Sequence, residues 1–215
     1  MPQEIKNLIF WVVIVLVVII LFVLLVLKLK SKDIYYYGKN PKNKKLDKKI
    51  KKFARDRDFL FLTDVFLPVD NNKAVLIDDI ILGNKYIYVV SQKHWDGYVK
   101  GFEYDTKWLL TMKVRTNYVD NPLIGNRYKV QTLMRFLKER TDENIVNIVT
   151  LSNGSKFNSI QTQPLENVVK MRTLFKLIDD YEKNSPFNDI KEEELERIAL
   201  KLHEESIRIA KTQMR

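Results

Sequence analysis

The sequence predicts an α/β fold, in which a central mixed β-sheet flanked by helices follows an N-terminal transmembrane helix. An unbroken apolar run at 8–27 has the length of a membrane span. Two segments rich in Val, Ile and Tyr are joined by Gly83-Asn84, a strong signal for a hairpin. Segments with apolar residues at helical spacing lie before and after this hairpin. The 215 residues therefore have room for one membrane segment and one soluble domain.

Composition excludes several kinds of site. The chain carries a formal net charge of +10 and contains no cysteine, so disulfides and thiolate metal sites are excluded. Its two histidines, His94 and His203, are too few for a His-rich zinc site.

The apolar run at 8–27 is predicted to anchor the chain in the plasma membrane as a single span. As an α-helix it would rise about 30 Å, the thickness of the hydrocarbon core. A cleaved signal peptide would have a shorter apolar region followed by small residues, whereas Lys28, Lys30 and Lys32 follow this run. By the positive-inside rule, residues 1–7 lie outside the cell and the C-terminal domain is cytoplasmic.

A strongly basic segment spans the predicted juxtamembrane linker, 28–45, and the start of the domain. Between Lys39 and Asp58 there are ten Lys or Arg residues against three Asp. Apolar residues at helical spacing predict the first helix of the domain here, and they are Leu46, Ile50 and Phe53. The candidate binding lysines are Lys44, Lys45, Lys48, Lys49, Lys51 and Lys52. They would attract anionic lipid headgroups or nucleic acid phosphates, and they equally fit a solvated helix face that serves only as a topology signal.

Strands are predicted through the first part of the domain. The first covers 59–66 and ends at Leu67-Pro68. The hairpin strands, 74–82 and 86–90, are almost continuously apolar, which indicates a sheet covered on both faces. The later predicted strands are 98–102, which continues the same sheet, 108–114 and 145–151.

Helices are predicted to alternate with the later strands. One begins at Asn121-Pro122 and runs to about residue 140, a second opens at Pro164, and a third ends the chain. Trp95 and Trp108 have rings that are able to stack on nucleic acid bases, but we expect both to pack against the sheet.

Polar residues interrupt the central hairpin. Asp78 and Asp79 stand in its first apolar strand, and Ser91-Gln92-Lys93 follows the second. A buried charge requires a metal, a cation or water nearby. Because neighbouring strand residues point to opposite faces, both carboxylates are not expected at one metal. The sequence predicts a polar site at the edge of a covered sheet.

Five features occur in an order that is more specific than any of them alone. They are IDDIILG at 77–83, VVSQKHWDG at 89–97, a glycine-containing strand, Trp108, and NPLIGN at 121–126. Their order and spacing resemble the nuclease-related domain (NERD) family, which belongs to the restriction-endonuclease-like folds. The resemblance covers roughly 47–150. We therefore expect a NERD-like domain at 46–160, followed by C-terminal helices at 161–215.

The resemblance implies roles for individual residues. Asp78 matches the Asp of the family and Lys93 matches its Lys, so both would be catalytic. In an active member, Asp78 would also hold Mg²⁺. Further positions match the motif as supporting residues, and they are Trp95, Gly97, Asn121, Pro122 and Asn126.

Two positions depart from the family pattern. Ser91 stands where a Glu is expected, and Gly125 stands where a Gln is expected. A neutral hydroxyl is a poor ligand for a hard cation. The sequence offers three candidates for a displaced carboxylate, and they are Asp79, Glu103 and Asp105. The alternative is a structural ion pair between Asp78 and Lys93.

These observations leave three functional hypotheses. The preferred one is a catalytically degenerate, membrane-tethered module without a cofactor, which binds nucleic acid or a protein partner. The second is a Mg²⁺-dependent nuclease that uses a displaced carboxylate. The third is a domain that only supports the assembly of other membrane proteins.

Overall fold

A computed structural model describes residues 44–70, 73–137, 144–157 and 165–213. The predicted span at 8–27 lies outside these ranges and stays a prediction, as do residues 1–7 and most of the basic linker. Among the described residues, no helix has both the length and the apolar character that a membrane crossing requires.

Helices and strands alternate along the described part of the chain. The helices are α1 (Lys44–Arg55), α2 (Pro122–Leu137), α3 (Leu174–Asn184) and α4 (Glu192–Gln213). The strands are β1 (Leu60–Asp70), β2 (Lys73–Leu82), β3 (Ile87–Lys93), β4 (Tyr98–Lys100), β5 (Lys107–Thr111), β6 (Thr116–Asp120), β7 (Ile145–Leu151) and β8 (Glu166–Lys170). A short 3₁₀ helix, Met171–Thr173, leads into α3.

The central sheet has five strands in the order β1-β2-β3-β7-β8. The first three are antiparallel, whereas β3, β7 and β8 are parallel. The prediction of an α/β fold with a mixed central sheet is therefore confirmed.

Both faces of this sheet are covered, which explains its almost continuously apolar strands. On one face α1 and α3 pack on strand residues such as Ile81 and Val90. On the other face α2 and α4 pack on residues such as Ile80 and Val89. The predicted apolar stripe of α1 is buried in the first of these clusters, and it consists of Leu46, Ile50 and Phe53.

A second, three-stranded sheet, β4-β5-β6, is antiparallel. The prediction that 98–102 continues the central sheet is therefore wrong, and β6 was not predicted. Val99, Trp108 and Leu110 pack the inner face of the small sheet against Val149 and Leu151 of β7. Trp95 also lies in this cluster, so the prediction that both tryptophans pack is confirmed.

Two other element predictions are corrected. Strand β1 continues past Pro68 to Asp70. Proline has no backbone N–H to donate, and β1 tolerates it because β1 lies at the edge of the sheet. The segment after Pro164 does not begin a helix. Residues Glu166–Lys170 pair with β7 as a parallel edge strand, and the helix begins only at Leu174.

Candidate functional site

The candidate site forms where β2 and β3 part. Their pairing ends at Asp79 and Val90, so Asp78 and Ser91 are the first residues beyond the ladder. Side chains alternate along β3, which places Ser91 and Lys93 on the same face. That face is the one covered by α2, whereas Asp79 points to the face covered by α1.

Two side chains donate hydrogen bonds to one oxygen atom of Asp78. Ser91 Oγ donates a hydrogen bond to Asp78 Oδ2 at 2.9 Å. Lys129 Nζ, from the second turn of α2, donates to the same atom at 2.8 Å. Both members of this ion pair are mostly buried, with 17% of the Lys129 side chain and 21% of the Asp78 side chain exposed.

The partner of Asp78 is therefore Lys129, and not Lys93 as the structural alternative assumed. The sequence patterns did not identify Lys129 as a site residue. It lies one helical turn after Gly125 on the same side of α2, and this spacing could have indicated that it faces the site.

Lys93 lies beside this pair as a second cation. Burial lowers the pKa of the Lys93 ammonium, the nearby Lys129 lowers it further, and Asp78 and Asp120 oppose the change. Within the described ranges, no ion pair or hydrogen bond involves the Lys93 ammonium. The site thus combines two lysines with Asp78, which pairs with Lys129, and with Asp120, whose carboxylate acts electrostatically on Lys93.

Gly125 leaves open space near this site. A Cβ atom built there would have no atom within 4 Å outside its own local backbone. The family Gln would extend from this position, one turn before Lys129. The glycine therefore leaves the surface of α2 uncovered one turn before Lys129.

The residues at this site do not fit Mg²⁺. A hard divalent cation prefers several oxygen ligands, including carboxylates. Here Asp78 is the one carboxylate of the motif, and an ammonium already occupies its Oδ2. Among the described residues, no group of three His, Asp or Glu side chains is arranged to hold a metal.

The possible replacement carboxylates are all engaged elsewhere. Asp79 is fully buried on the other face, where Gln92 Nε2 donates to its Oδ2 at 2.5 Å. Glu103 accepts a hydrogen bond from Arg127 at 3.0 Å. Asp105 accepts one from the Phe102 amide at 2.8 Å.

The predicted supporting residues hold the framework around the site. Asn121 Oδ1 accepts the Leu123 amide at 2.9 Å and so caps α2. Its Nδ2 donates to the carbonyl groups of Glu103 and Asp105, which fixes the β4–β5 loop. Pro122 occupies the first position of α2. A Cβ at Gly97 would collide with the carbonyl oxygen of Thr111 in β5, so position 97 requires glycine.

Asn126 belongs to a buried polar network behind the site. Its Nδ2 donates to Asn147 Oδ1 at 2.7 Å and to the Val89 carbonyl at 3.0 Å. Asn147 in turn donates to Glu166, which accepts two hydrogen bonds from Arg127. The Nδ2 group of Asn126 thus ties α2 to the sheet.

The basic helix lies away from this site. Helix α1 packs on the face opposite Asp78, and its exposed lysines are Lys48, Lys49, Lys51 and Lys52. Lys52 pairs with Asp56 at 3.1 Å. The side chains of Lys44 and Lys45 lie outside the described residues. The binding roles predicted for all six stay predictions.

Comparison with protein families gives one match. A model of the nuclease-related domain family matches residues 38–152. Comparisons with curated proteins and with solved structures found no match. The family match covers more than half of the 215 residues and includes the Asp78, Ser91 and Lys93 positions. The chain belongs to the nuclease-related domain family.

Proposed function

We propose that this chain is a membrane-anchored NERD module, with a restriction-endonuclease-like fold, that binds nucleic acid phosphates without cleaving them. The observation that carries the proposal is the ion pair between Asp78 and Lys129. In a metal-dependent nuclease, a carboxylate at this position would hold the cation that polarises the phosphate. In this chain an ammonium group neutralises that carboxylate.

Two neighbouring ammonium groups favour an anionic ligand. The charged form of Lys93 is poorly solvated and lies near Lys129, as the lowered pKa of Lys93 reflects. A phosphodiester oxygen would accept charge-assisted hydrogen bonds from both lysines. The open space at Gly125 would admit the rest of the backbone.

Hydrolysis would require a group that activates water. Asp78 is poorly suited to this role, because its Oδ2 already accepts hydrogen bonds from Ser91 and Lys129. The proposed module therefore binds without a cofactor. The alternative hypothesis, a Mg²⁺-dependent nuclease, is tested below by a cleavage assay.

Membrane anchoring is proposed from the sequence at 8–27. The lysines that follow this run support a position of the domain on the cytoplasmic side of the plasma membrane. The exposed lysines of α1 come soon after the span along the chain, and anionic lipid headgroups are their proposed partners.

Oligonucleotide binding tests the proposal. Full-length protein in phosphatidylcholine nanodiscs would be titrated with a fluorescently labelled oligonucleotide in EDTA, and binding followed by anisotropy. Lys93→Ala and Lys129→Ala should each weaken binding about tenfold, the loss expected for one hydrogen bond to a charged group. Lys176→Ala, which removes an exposed lysine of α3, is the matched control.

Two outcomes would contradict the proposal. Cleavage in Mg²⁺ that disappears in Asp78→Ala would establish the nuclease hypothesis instead. Failure of the wild-type protein to bind DNA or RNA would exclude nucleic acid as the ligand. Specific recovery of another membrane protein from solubilised membranes would then favour a protein partner or an assembly role.

A further inference from the structure

The outer face of the small sheet carries aromatic side chains that the core does not use. Side chains alternate along β4, β5 and β6, and the inner set packs against β7. On the outer face, 69% of Tyr118 and 41% of Tyr98 are exposed. Leu109 stands opposite Tyr118 in the register, and it also pairs with Lys100. This tyrosine face is defined by Tyr98, Lys100, Lys107, Leu109, Tyr118 and Asp120, and Asp120 stands opposite Lys107 in the register.

The tyrosine face includes the strand that leads into α2. Asp120 lies two residues after Tyr118 on the same side of β6, about 7 Å along the strand. The carboxylate of Asp120 also acts electrostatically on Lys93. Strand β6 ends at Asp120, and α2, which carries Lys129, begins two residues later at Pro122.

The chemistry of this face fits single-stranded nucleic acid. Within the described residues, the ammonium groups of Lys100 and Lys107 have no ion-pair partner, and both residues are exposed. Lysines are depleted from the cores of protein interfaces, where they would interrupt the apolar contact. Tyrosines separated by lysines are instead suited to stacked bases joined by phosphates. A duplex would keep its bases paired and unavailable for stacking.

We propose that the tyrosine face is a stacking surface for the bases of a single strand whose phosphates are bound by Lys93 and Lys129. This inference rests on the proposed function and names its ligand class. Tyr118 stacks on a base nearest the lysines, and Tyr98 extends the surface across the sheet. Lys100 contacts the backbone between them.

The test compares two strands that carry the same phosphates. Full-length protein in phosphatidylcholine nanodiscs would be titrated with oligo(dT) and with an abasic strand of equal length. Tyr118→Ala should weaken oligo(dT) binding about tenfold and leave the abasic strand unchanged, because stacking depends on the base. Tyr118→Phe should retain binding. Leu200→Ala, which removes an exposed apolar side chain of α4, should change neither affinity.

The outcomes separate this inference from the proposed function. If Tyr118→Ala weakens both strands equally, or neither, the stacking surface is wrong. If the wild-type protein binds both strands equally and Lys93→Ala weakens both, phosphate binding stands without stacking. If neither strand binds, both proposals fail.

Discussion

At the residue scale, the candidate site is defined by two side chains that donate to the same oxygen atom of Asp78. Ser91 and Lys129 both donate to Asp78 Oδ2, at 2.9 and 2.8 Å. A Glu at position 91 would add a negative charge beside Asp78 and favour a divalent cation. In the proposed function, Asp78 positions Lys129. We therefore expect Ser91→Glu to shift the preferred ligand from an anion towards a metal.

Lys93 is predicted to destabilise the folded protein when no ligand is bound. Its ammonium is largely removed from water and lies near Lys129, as its lowered pKa reflects. Lys93→Met should therefore raise the Tm of the full-length protein by a few degrees at pH 7, measured by differential scanning fluorimetry. Inorganic phosphate should stabilise the wild type more than this variant.

The matched control for Lys93→Met is Lys176→Met, which replaces an exposed lysine. This control should leave the Tm almost unchanged. A lower Tm for Lys93→Met would mean that the Lys93 ammonium has a stabilising partner, contrary to the account.

Glu182 is predicted to make stability depend on pH. Burial raises the pKa of Glu182 above its ordinary 4.5, although Tyr88 and the Lys85 amide donate hydrogen bonds to it. The folded state therefore disfavours the charged form. The stability that Glu182 contributes is full below about pH 4.5 and is lost as pH rises through the folded pKa.

Glu182→Gln removes this titration. The Tm of the variant relative to the wild type should therefore increase between pH 4.5 and pH 7, measured by thermal melts at several pH values. Glu196→Gln, at an exposed position of α4, should show no such trend. If the Tm of Glu182→Gln relative to the wild type falls with rising pH, the pKa of Glu182 is not raised in the folded protein.

At the scale of elements, Arg127 joins three parts of the fold. From α2 it donates to Glu166 of β8 at 2.7 and 2.6 Å, and to Glu103 of the β4–β5 loop at 3.0 Å. Both glutamates are buried. Arg127→Ala would leave two buried carboxylates without this cation and should destabilise the protein by about 3 kcal/mol.

Chemical denaturation of the full-length protein in detergent would measure this loss. Arg172→Ala, at an exposed position, is the control and should have little effect. Replacing Glu166 by Gln together with Arg127→Met should recover part of the stability, because the buried charge is removed. A loss below about 0.5 kcal/mol for Arg127→Ala, as is typical of surface pairs, would contradict the role of Arg127.

The central hairpin was predictable because the residues that determine it are close together in the sequence. Gly83-Asn84 marks the turn, and the flanking β-branched and aromatic residues favour strands. Strand β8 was not predictable in this way, because it forms by parallel pairing with β7 across an intervening segment. The small sheet likewise depends on packing between Trp108 and β7, which no local pattern reveals.

The same distinction holds for the candidate site. Asp78, Ser91 and Lys93 lie on two paired strands, so their shared face followed from strand alternation. Lys129 comes from a helix that docks from a distant part of the sequence. Its contact with Asp78 depends on how α2 packs over the sheet. Sequence patterns therefore did not reveal Lys129, the residue that forms the ion pair with Asp78.

At the scale of the whole molecule, two basic surfaces lie on opposite faces of the central sheet. The exposed lysines of α1 belong to one face, and Lys93 and Lys129 belong to the other. A lipid surface that engages α1 would therefore leave the candidate site open. Anionic lipid and nucleic acid are expected to bind without direct competition.

The proposed topology places the N-terminus outside the cell and the domain in the cytoplasm. Because the chain contains no cysteine, Gln3→Cys and Asn188→Cys would each introduce a single thiol. A membrane-impermeant maleimide should label Gln3→Cys in intact cells and Asn188→Cys only after permeabilisation. The reverse pattern would overturn the proposed orientation.

Manganese binding tests most directly the claim that Lys129 replaces a metal at Asp78. Full-length wild type, Asp78→Ala and Ser91→Glu/Lys129→Gln would be titrated with MnCl₂ in phosphatidylcholine nanodiscs by isothermal calorimetry. The account predicts that wild type and Asp78→Ala give the same heats, and that the double variant gains a site. A Mn²⁺ site in the wild type that Asp78→Ala abolishes would contradict it.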